Sequence, residues 1–427
     1  MSAGTRAAPR PEMTGRVAAW DQRQVAVGAS ATTAEESSTL RFESMEVYRA
    51  IPALLLVVFH AYQYSRDGTG AGSYVYEGTP LHVALYGLEL ISEWFFVLSG
   101  FLIFVPFAQA TLRRRQTRSI RGYLIRRAIR ILPAYYVAIG LVWTWRFGGG
   151  ADQWRDLVEH LTFTHVFDRD HIFWTIGPAW ALAVEVQFYV VVALLAPVVY
   201  LLCGWPQTAA GRAVLLATVP TAVGVASAAY KWWAVEAAKI PGDDWPAYYG
   251  LAAKADAFAI GMLLAVVVAV RDGRPLFGGR TPVVIRIVGI GLMIVAVAWR
   301  TESGLEGLGF YTLSAAAFAL MLAASALGPR RTPWSRVLDR APIRGLGVIS
   351  YGVYLWHEPL MIELGKRSLL IHPAPDAFPT NAVVLLALSI AAGAICYWTV
   401  EQPTMQLRRL FTADGRLANR YVEEGVG

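Results

Sequence analysis

WTIGPAWALAVEVQFYVVVALLAPVV, residues 174–199, contains one charged side chain, Glu185. About 18 or more residues this apolar suffice to cross a bilayer core of about 30 Å as a helix. The stretch therefore reads as a transmembrane helix. A carboxylate near the bilayer centre costs roughly 2.5–3.5 kcal/mol on insertion scales, so it faces protein or a water-filled cavity rather than lipid. Glu185 is thus both the exception in the pattern and a candidate for function.

The rest of the chain repeats this pattern. It is 56% hydrophobic and 16% charged, with a mean hydropathy of +0.42, whereas a soluble domain carries about 25% charged residues. Ten apolar segments follow one another at about 46–66, 81–107, 131–147, 174–202, 213–232, 250–270, 284–300, 308–328, 345–365 and 380–401. The expected fold is all-α, a polytopic membrane protein of about ten transmembrane helices. Residues 1–43 read as a disordered cytoplasmic tail without signal-peptide features, so the first segment is expected to be retained. Residues 44–403 read as the transmembrane domain, and 404–427 as a short cytoplasmic tail.

Arginine clusters in alternate loops: Arg113, Arg114, Arg115, Arg118, Arg121 and Arg126 precede the third segment. The loops near 271–286 and 329–344 and the chain end (Arg408, Arg409, Arg416, Arg420) are basic too, whereas the intervening loops are balanced or acidic. The positive-inside rule puts the basic loops and both termini in the cytoplasm, and ten crossings agree with that. The net charge of +7 is therefore a topology signal, and nucleic acid is not an expected partner. Cys203 and Cys396 have no metal-ligand spacing and read as small buried hydrophobes; no metal site is expected.

Several ionisable residues lie within the segments. In YRAIPALLLVVFH, residues 48–60, Arg49 and His60 are three helical turns apart on one stripe, about 16 Å along the axis. Arg49 belongs near the cytoplasmic mouth, where it can also snorkel. His60 lies about 20 Å above the inner surface and Glu185 about 16 Å below the outer one, so a pair between them is expected. Such a carboxylate would orient the imidazole as a base. In LGVISYGVYLWHEPLM, Ser350, Tyr354 and His357 share one face. His357 is then either a rival base or a structural histidine. ISEWFFVLSGFLIF carries Glu93 and the pair Ser99–Gly100, which suits close helix packing. KADAFAIGMLLA places Lys254 and Asp256 at the outer end of the sixth segment, as cavity-facing groups or interfacial anchors.

Together these stretches resemble the acyltransferase-3 family of membrane-integral O-acyltransferases, over roughly residues 45 to 410. Arg49 and His60 match the family's R-x10-H signature. WFFVLSGFLI resembles its second-helix motif, with Glu93 where aspartate is usual. RRAIRILPAYYV puts Arg127 and Arg130 on an R-x-x-R pattern. WALAVEVQFY, with Trp180 and Glu185, resembles W-S-L-x-V-E-x-Q-F-Y. ISYGVYLWHEP, with Tyr354 and His357, and YWTVEQP, with Glu401, complete the order. Val186 stands where many members have a second glutamate, and Lys254 where arginine is common. No hydrolase-like domain follows the last segment, so direct transfer is expected.

The resemblance implies transfer of an acyl group, acetyl being the commonest, from acyl-CoA to a hydroxyl of a cell-envelope sugar or a secreted or lipid-linked glycoside. No tightly bound cofactor is implied. The implied location is the bacterial cytoplasmic (inner) membrane. Arg127, Arg130 and Arg49 would hold the anionic donor, because a guanidinium pairs phosphate oxygens bidentately. His60, oriented by Glu185, would be the general base. Buried Arg, His and Glu also suit a proton-coupled transporter, although no internal repeat of the kind common in carriers is visible. A further alternative keeps the fold as an inactive sensory protein.

Overall fold

The computed structural model describes residues 48–66, 74–115, 119–148, 150, 153–303, 308–329, 332–338, 340–370 and 377–406. The tail expected over 1–43 lies outside these residues, as do Arg118 and residues 407–427. Among the described residues there are helices and no strand. Each of the ten apolar segments holds a helix.

The first is α1, Ala50–Tyr64. The second segment is built from α2 (Pro80–Tyr86), a 3-10 turn (Gly87–Ile91) and α3 (Ser92–Leu112). Next come α4 (Ile120–Phe147), the short α5 (Trp154–Leu161) and α6 (Ala179–Leu202). They are followed by α7 (Ala209–Trp232), α8 (Trp245–Tyr249), α9 (Leu251–Arg271), α10 (Thr281–Ser303) and α11 (Gly309–Ala326). The chain closes with α12 (Pro333–Leu338), α13 (Ala341–Lys366) and α14 (Ala377–Cys396).

Among the described residues, eight helices are long and apolar enough to cross a membrane. The other two expected crossings fall on α1, which has 15 residues, and on α13, whose run is diluted by Tyr351, Tyr354, His357 and Glu358. Local signals set several starts. Thr79 Oγ1 accepts from His82 N–H ahead of Pro80, Ser119 Oγ accepts from Gly122 N–H, and Thr208 Oγ1 accepts from Gly211 N–H, each satisfying an orphan donor of the first turn.

Two crossings organise the bundle. Helices α3 and α9 approach so closely that a Cβ on Gly261 would lie 2.0 Å from the Val97 carbonyl oxygen, and one on Gly100 would lie 2.3 Å from that of Phe258. Gly100 therefore does serve packing, as small residues do between membrane helices, whereas the Ser99 hydroxyl is used by Glu185. Helices α13 and α14 meet at Gly352 and Gly393, where a Cβ on Gly352 would lie 2.9 Å from the Gly393 Cα. Helix α1 packs against this second pair, which brings His60 to His357.

Segment 174–202 is not helical throughout. Residues 174–178 form a turn in which Thr175 and Ile176 are fully buried. Tyr354 Oη donates to the Pro178 carbonyl at 2.7 Å, and the Gly177 N–H donates to Glu358 Oε2 at 2.9 Å. Arg146 Nη1 donates to the carbonyls of Trp174 (3.0 Å) and Thr175 (2.7 Å). Helix α13 and the end of α4 thus hold this turn inside the bundle, and α6 starts from there.

Candidate active site

His60 sits near the end of α1 opposite Arg49, its N-cap residue. Its ring lies 4.9 Å from that of His357 and 5.1 Å from that of Phe59. Gln63, one turn on, hydrogen-bonds it, and the Glu89 carboxylate acts on it electrostatically. His60 keeps part of its surface accessible, whereas His357 is fully buried. The His357 Nδ1–H donates to the Tyr354 carbonyl at 2.6 Å. That bond assigns the tautomer and leaves Nε2 as a bare acceptor, which has no partner among the described residues.

Glu185 does not pair with His60. Ser99 Oγ donates to its Oε1, and Tyr189, one turn along α6, hydrogen-bonds it as well. The expectation failed for a specific reason: it counted depth from residue 174, but the helix starts at Ala179. Pro178 already stands at the level of Tyr354, one turn from His357. Seven residues further along the chain, Glu185 is about 10 Å closer to the Arg49 end.

There it joins a basic, aromatic cluster. The Arg127 guanidinium lies 5.4 Å from the Tyr189 ring centroid and 6.0 Å from that of Tyr123. Arg49 and Arg127 both act electrostatically on Tyr189. Arg130 separates from Arg127 and acts on Glu401, which is buried and has Oε1 without a hydrogen-bond partner among the described residues. The two arginines of the R-x-x-R pattern therefore face different carboxylate environments.

Other expected residues fall into a separate network. Glu93 Oε1 accepts from Lys254 Nζ at 2.6 Å, with both side chains buried. Lys254 also stands 3.5 Å over the Tyr311 ring. Asp256 pairs with Lys231 at 2.7 Å and accepts from Thr312 Oγ1. Residues 254 and 256 point to different partners, as their two-residue spacing requires, and neither is an interfacial anchor. Trp180 meets Tyr249 edge-on at 4.6 Å. Ser350 Oγ is used locally, donating to the Gly347 carbonyl at 2.8 Å.

The residues that sequence reasoning missed are Glu89, Arg300, Arg146, Glu358 and Tyr189. Each is polar within an apolar segment, and Glu358 and Tyr189 lie inside stretches singled out for their neighbours. A rule that treats every ionisable residue of a span as functional would have found four of them.

Among the described residues, one further group could bind a cation. Glu159, Asp168 and His171 bring ligand atoms within 4.8 Å of one another. Arg155 pairs with both carboxylates and so supplies the positive charge itself. The free cysteines, Cys203 and Cys396, are buried.

A family model described as an acyltransferase domain matches residues 42–400. Among curated proteins, the peptidoglycan O-acetyltransferase OatA of Listeria monocytogenes serovar 1/2a is 26% identical over 290 residues, which cover 62% of this chain and 44% of OatA. The chain thus spans less than half of that relative's length. BcsY of Komagataeibacter xylinus, described provisionally as a membrane-bound transacylase, is 26% identical over 327 residues, covering 72% of this chain and 74% of BcsY. No solved structure gives a significant match. The match to the family model covers most of the chain, and the chain belongs to the acyltransferase-3 family of membrane acyltransferases.

Proposed function

We propose that this protein is an O-acyltransferase of a bacterial cytoplasmic membrane, with both termini in the cytoplasm. It moves an acyl group, acetyl in the simplest case, from acyl-CoA to a hydroxyl of a cell-envelope polysaccharide. The observation that carries the reading is the position of His60: partly accessible, against His357, and about 16 Å along α1 from Arg49. A donor entering at the arginine end and an acceptor entering at the other end meet at this ring. Both relatives' names support acyl transfer, and OatA's names an envelope polymer as its acceptor; family membership removes the ground for the transporter alternative.

Arg49 and Arg127 hold the anionic part of the donor, with Tyr123 and Tyr189 beside them. Glu185, pinned by Ser99 and Tyr189, sets the register of those groups. His60 takes the acceptor hydroxyl's proton as its oxygen attacks the thioester carbonyl. The carbon–sulfur bond then breaks, and the CoA thiolate recovers the proton from the imidazolium. General-base help of this kind is typically worth about 10²–10⁴-fold. His357 is the neighbouring ring whose tautomer is assigned by Tyr354.

The test is acyl transfer by purified, reconstituted protein using labelled acetyl-CoA and envelope glycan. His60→Ala and Arg49→Ala reach the membrane folded and transfer nothing. Full activity in His60→Ala, with loss in His357→Ala, moves the base to α13.

A further inference from the structure

Glu89, in the 3-10 turn between α2 and α3, accepts three hydrogen bonds and acts electrostatically on His60. Its Oε1 accepts from Tyr249 Oη (3.1 Å) and Tyr311 Oη (2.5 Å), and its Oε2 from Arg300 Nη2 (2.9 Å). Arg300 donates onward to Tyr86 Oη at 3.0 Å. The turn that carries Glu89 packs on α1, the helix of His60. Tyr86, Glu89, Tyr249 and His60 all keep accessible surface. An aromatic path leads on from Tyr249, whose ring meets Trp180 at 4.6 Å and Phe173 at 5.6 Å. Phe173 is 36% exposed and belongs to the loop before α6.

We infer that Glu89, Arg300, Tyr86, Tyr249 and Trp180 form an acceptor subsite for an uncharged, polyhydroxylated ligand beside His60. The inference rests on the proposed function, because it names the acceptor's chemistry at that same site. The charges decide the class. Within the cluster the one carboxylate, Glu89, is matched by the one guanidinium, Arg300, so these five side chains carry no net charge between them. What the site offers is phenol hydroxyls that donate and accept, a carboxylate that accepts, a guanidinium that donates, and ring surfaces. A sugar hydroxyl does both as well, and the apolar C–H face of a pyranose fits an aromatic ring. A few placed polar groups among aromatic walls are what orient a small ligand.

The experiment is a tryptophan-fluorescence titration of the full chain in nanodiscs with cellotetraose, a neutral tetrasaccharide, and with tetragalacturonate, its acidic counterpart. Wild type binds cellotetraose saturably and at least tenfold more tightly than tetragalacturonate. Glu89→Gln and Tyr249→Phe each weaken cellotetraose at least tenfold, and Cys203→Ser leaves it unchanged. Tyr249→Phe keeps the ring and removes one hydroxyl, so it reports even where Glu89→Gln fails to fold. Lack of saturable binding by wild type, tighter binding of the acidic sugar, or unchanged binding in Tyr249→Phe overturns the subsite. The transfer assay on His60→Ala is read separately. Loss of transfer there with unchanged tetrasaccharide binding in both subsite variants sinks the subsite alone. Retained transfer by His60→Ala and His357→Ala, with binding lost in the subsite variants, sinks the catalytic reading alone.

Discussion

Gly261→Ala tests the central crossing of the bundle. The added Cβ would lie 2.0 Å from the Val97 carbonyl oxygen and 2.9 Å from the Phe101 nitrogen, both backbone atoms that no rotamer change can move. A relaxed carbon–oxygen contact is about 3.3–3.6 Å, so α3 and α9 must separate locally by more than about 1 Å. Overpacking of this kind costs typically about 1–3 kcal/mol. The same two helices carry Glu93 and Lys254, joined at 2.6 Å and each 1% exposed. Stretching that pair leaves two under-compensated charges, and outright loss of one partner costs about 3–5 kcal/mol. Alanine's better helix propensity returns at most about 1 kcal/mol. The expected net loss is about 2 kcal/mol or more, a sum of the overpacking and ion-pair terms. Gly140→Ala in α4 is the matched control, since nothing lies within 4 Å of its Cβ and propensity alone should stabilise it by about 0.5–1 kcal/mol. The assay is the folded fraction after graded heating in detergent, read by size-exclusion of fluorescently tagged protein. Gly261→Ala should fail several degrees below wild type and Gly140→Ala at or above it. Equal melting of the two variants would refute the close backbone contact.

The buried pair itself gives a second prediction: Lys254→Met alone destabilises by about 3–5 kcal/mol in the same heating assay, while Glu93→Gln added to it recovers much of the loss, because no buried charge remains unpaired. Ser99→Ala removes a hydroxyl that donates to Glu185 and leaves the helix crossing intact. Transfer should fall by about tenfold, the cost of about one hydrogen bond to a charged group, with unchanged melting. His165, in the loop before α6, is fully buried; burial first, then the His160 ring stacked at 4.0 Å, hold its pKa well below the ordinary 6.5. Below about pH 6.5 the unfolded loop therefore binds a proton that the folded loop does not. Stability is complete above that pH and falls on acidification by up to about 1.4 kcal/mol per pH unit. Hydrogen exchange of residues 153–178 should accelerate from pH 7 to pH 5 after correction for intrinsic rates, and His165→Phe should flatten that response.

Much of this fold was legible because lipid imposes one rule: a span must be helical and apolar, so each segment announces itself by length. What was not legible is where a helix begins inside such a segment. WTIGPAW is apolar enough to count as span, yet residues 174–178 are a turn whose backbone groups are satisfied by Tyr354, Glu358 and Arg146 from other helices. Irregular backbone is tolerated at membrane depth only with such partners. Nothing local to residues 174–178 names partners from α13 and α4. The displaced start moved Glu185 away from His60 and into the arginine cluster.

The displacement also changes how the site divides labour. A carboxylate beside the base would have made one compact dyad of His60 and Glu185. Instead, Glu185 shares its surroundings with Tyr189, Arg127 and Arg49, and the carboxylate near His60 is Glu89, already tied to Arg300 and two tyrosines. One acid therefore serves each end of the His60 stripe. On the proposed reading donor and acceptor enter from opposite sides, so each is fixed against its own wall while both share His60. On that logic, damage at Ser99 or Arg127 should raise the KM for donor and damage at Tyr249 the KM for acceptor. Two-substrate kinetics on the reconstituted protein would show it; a Tyr249→Phe protein that altered only the donor's KM would invert the assignment of the two ends.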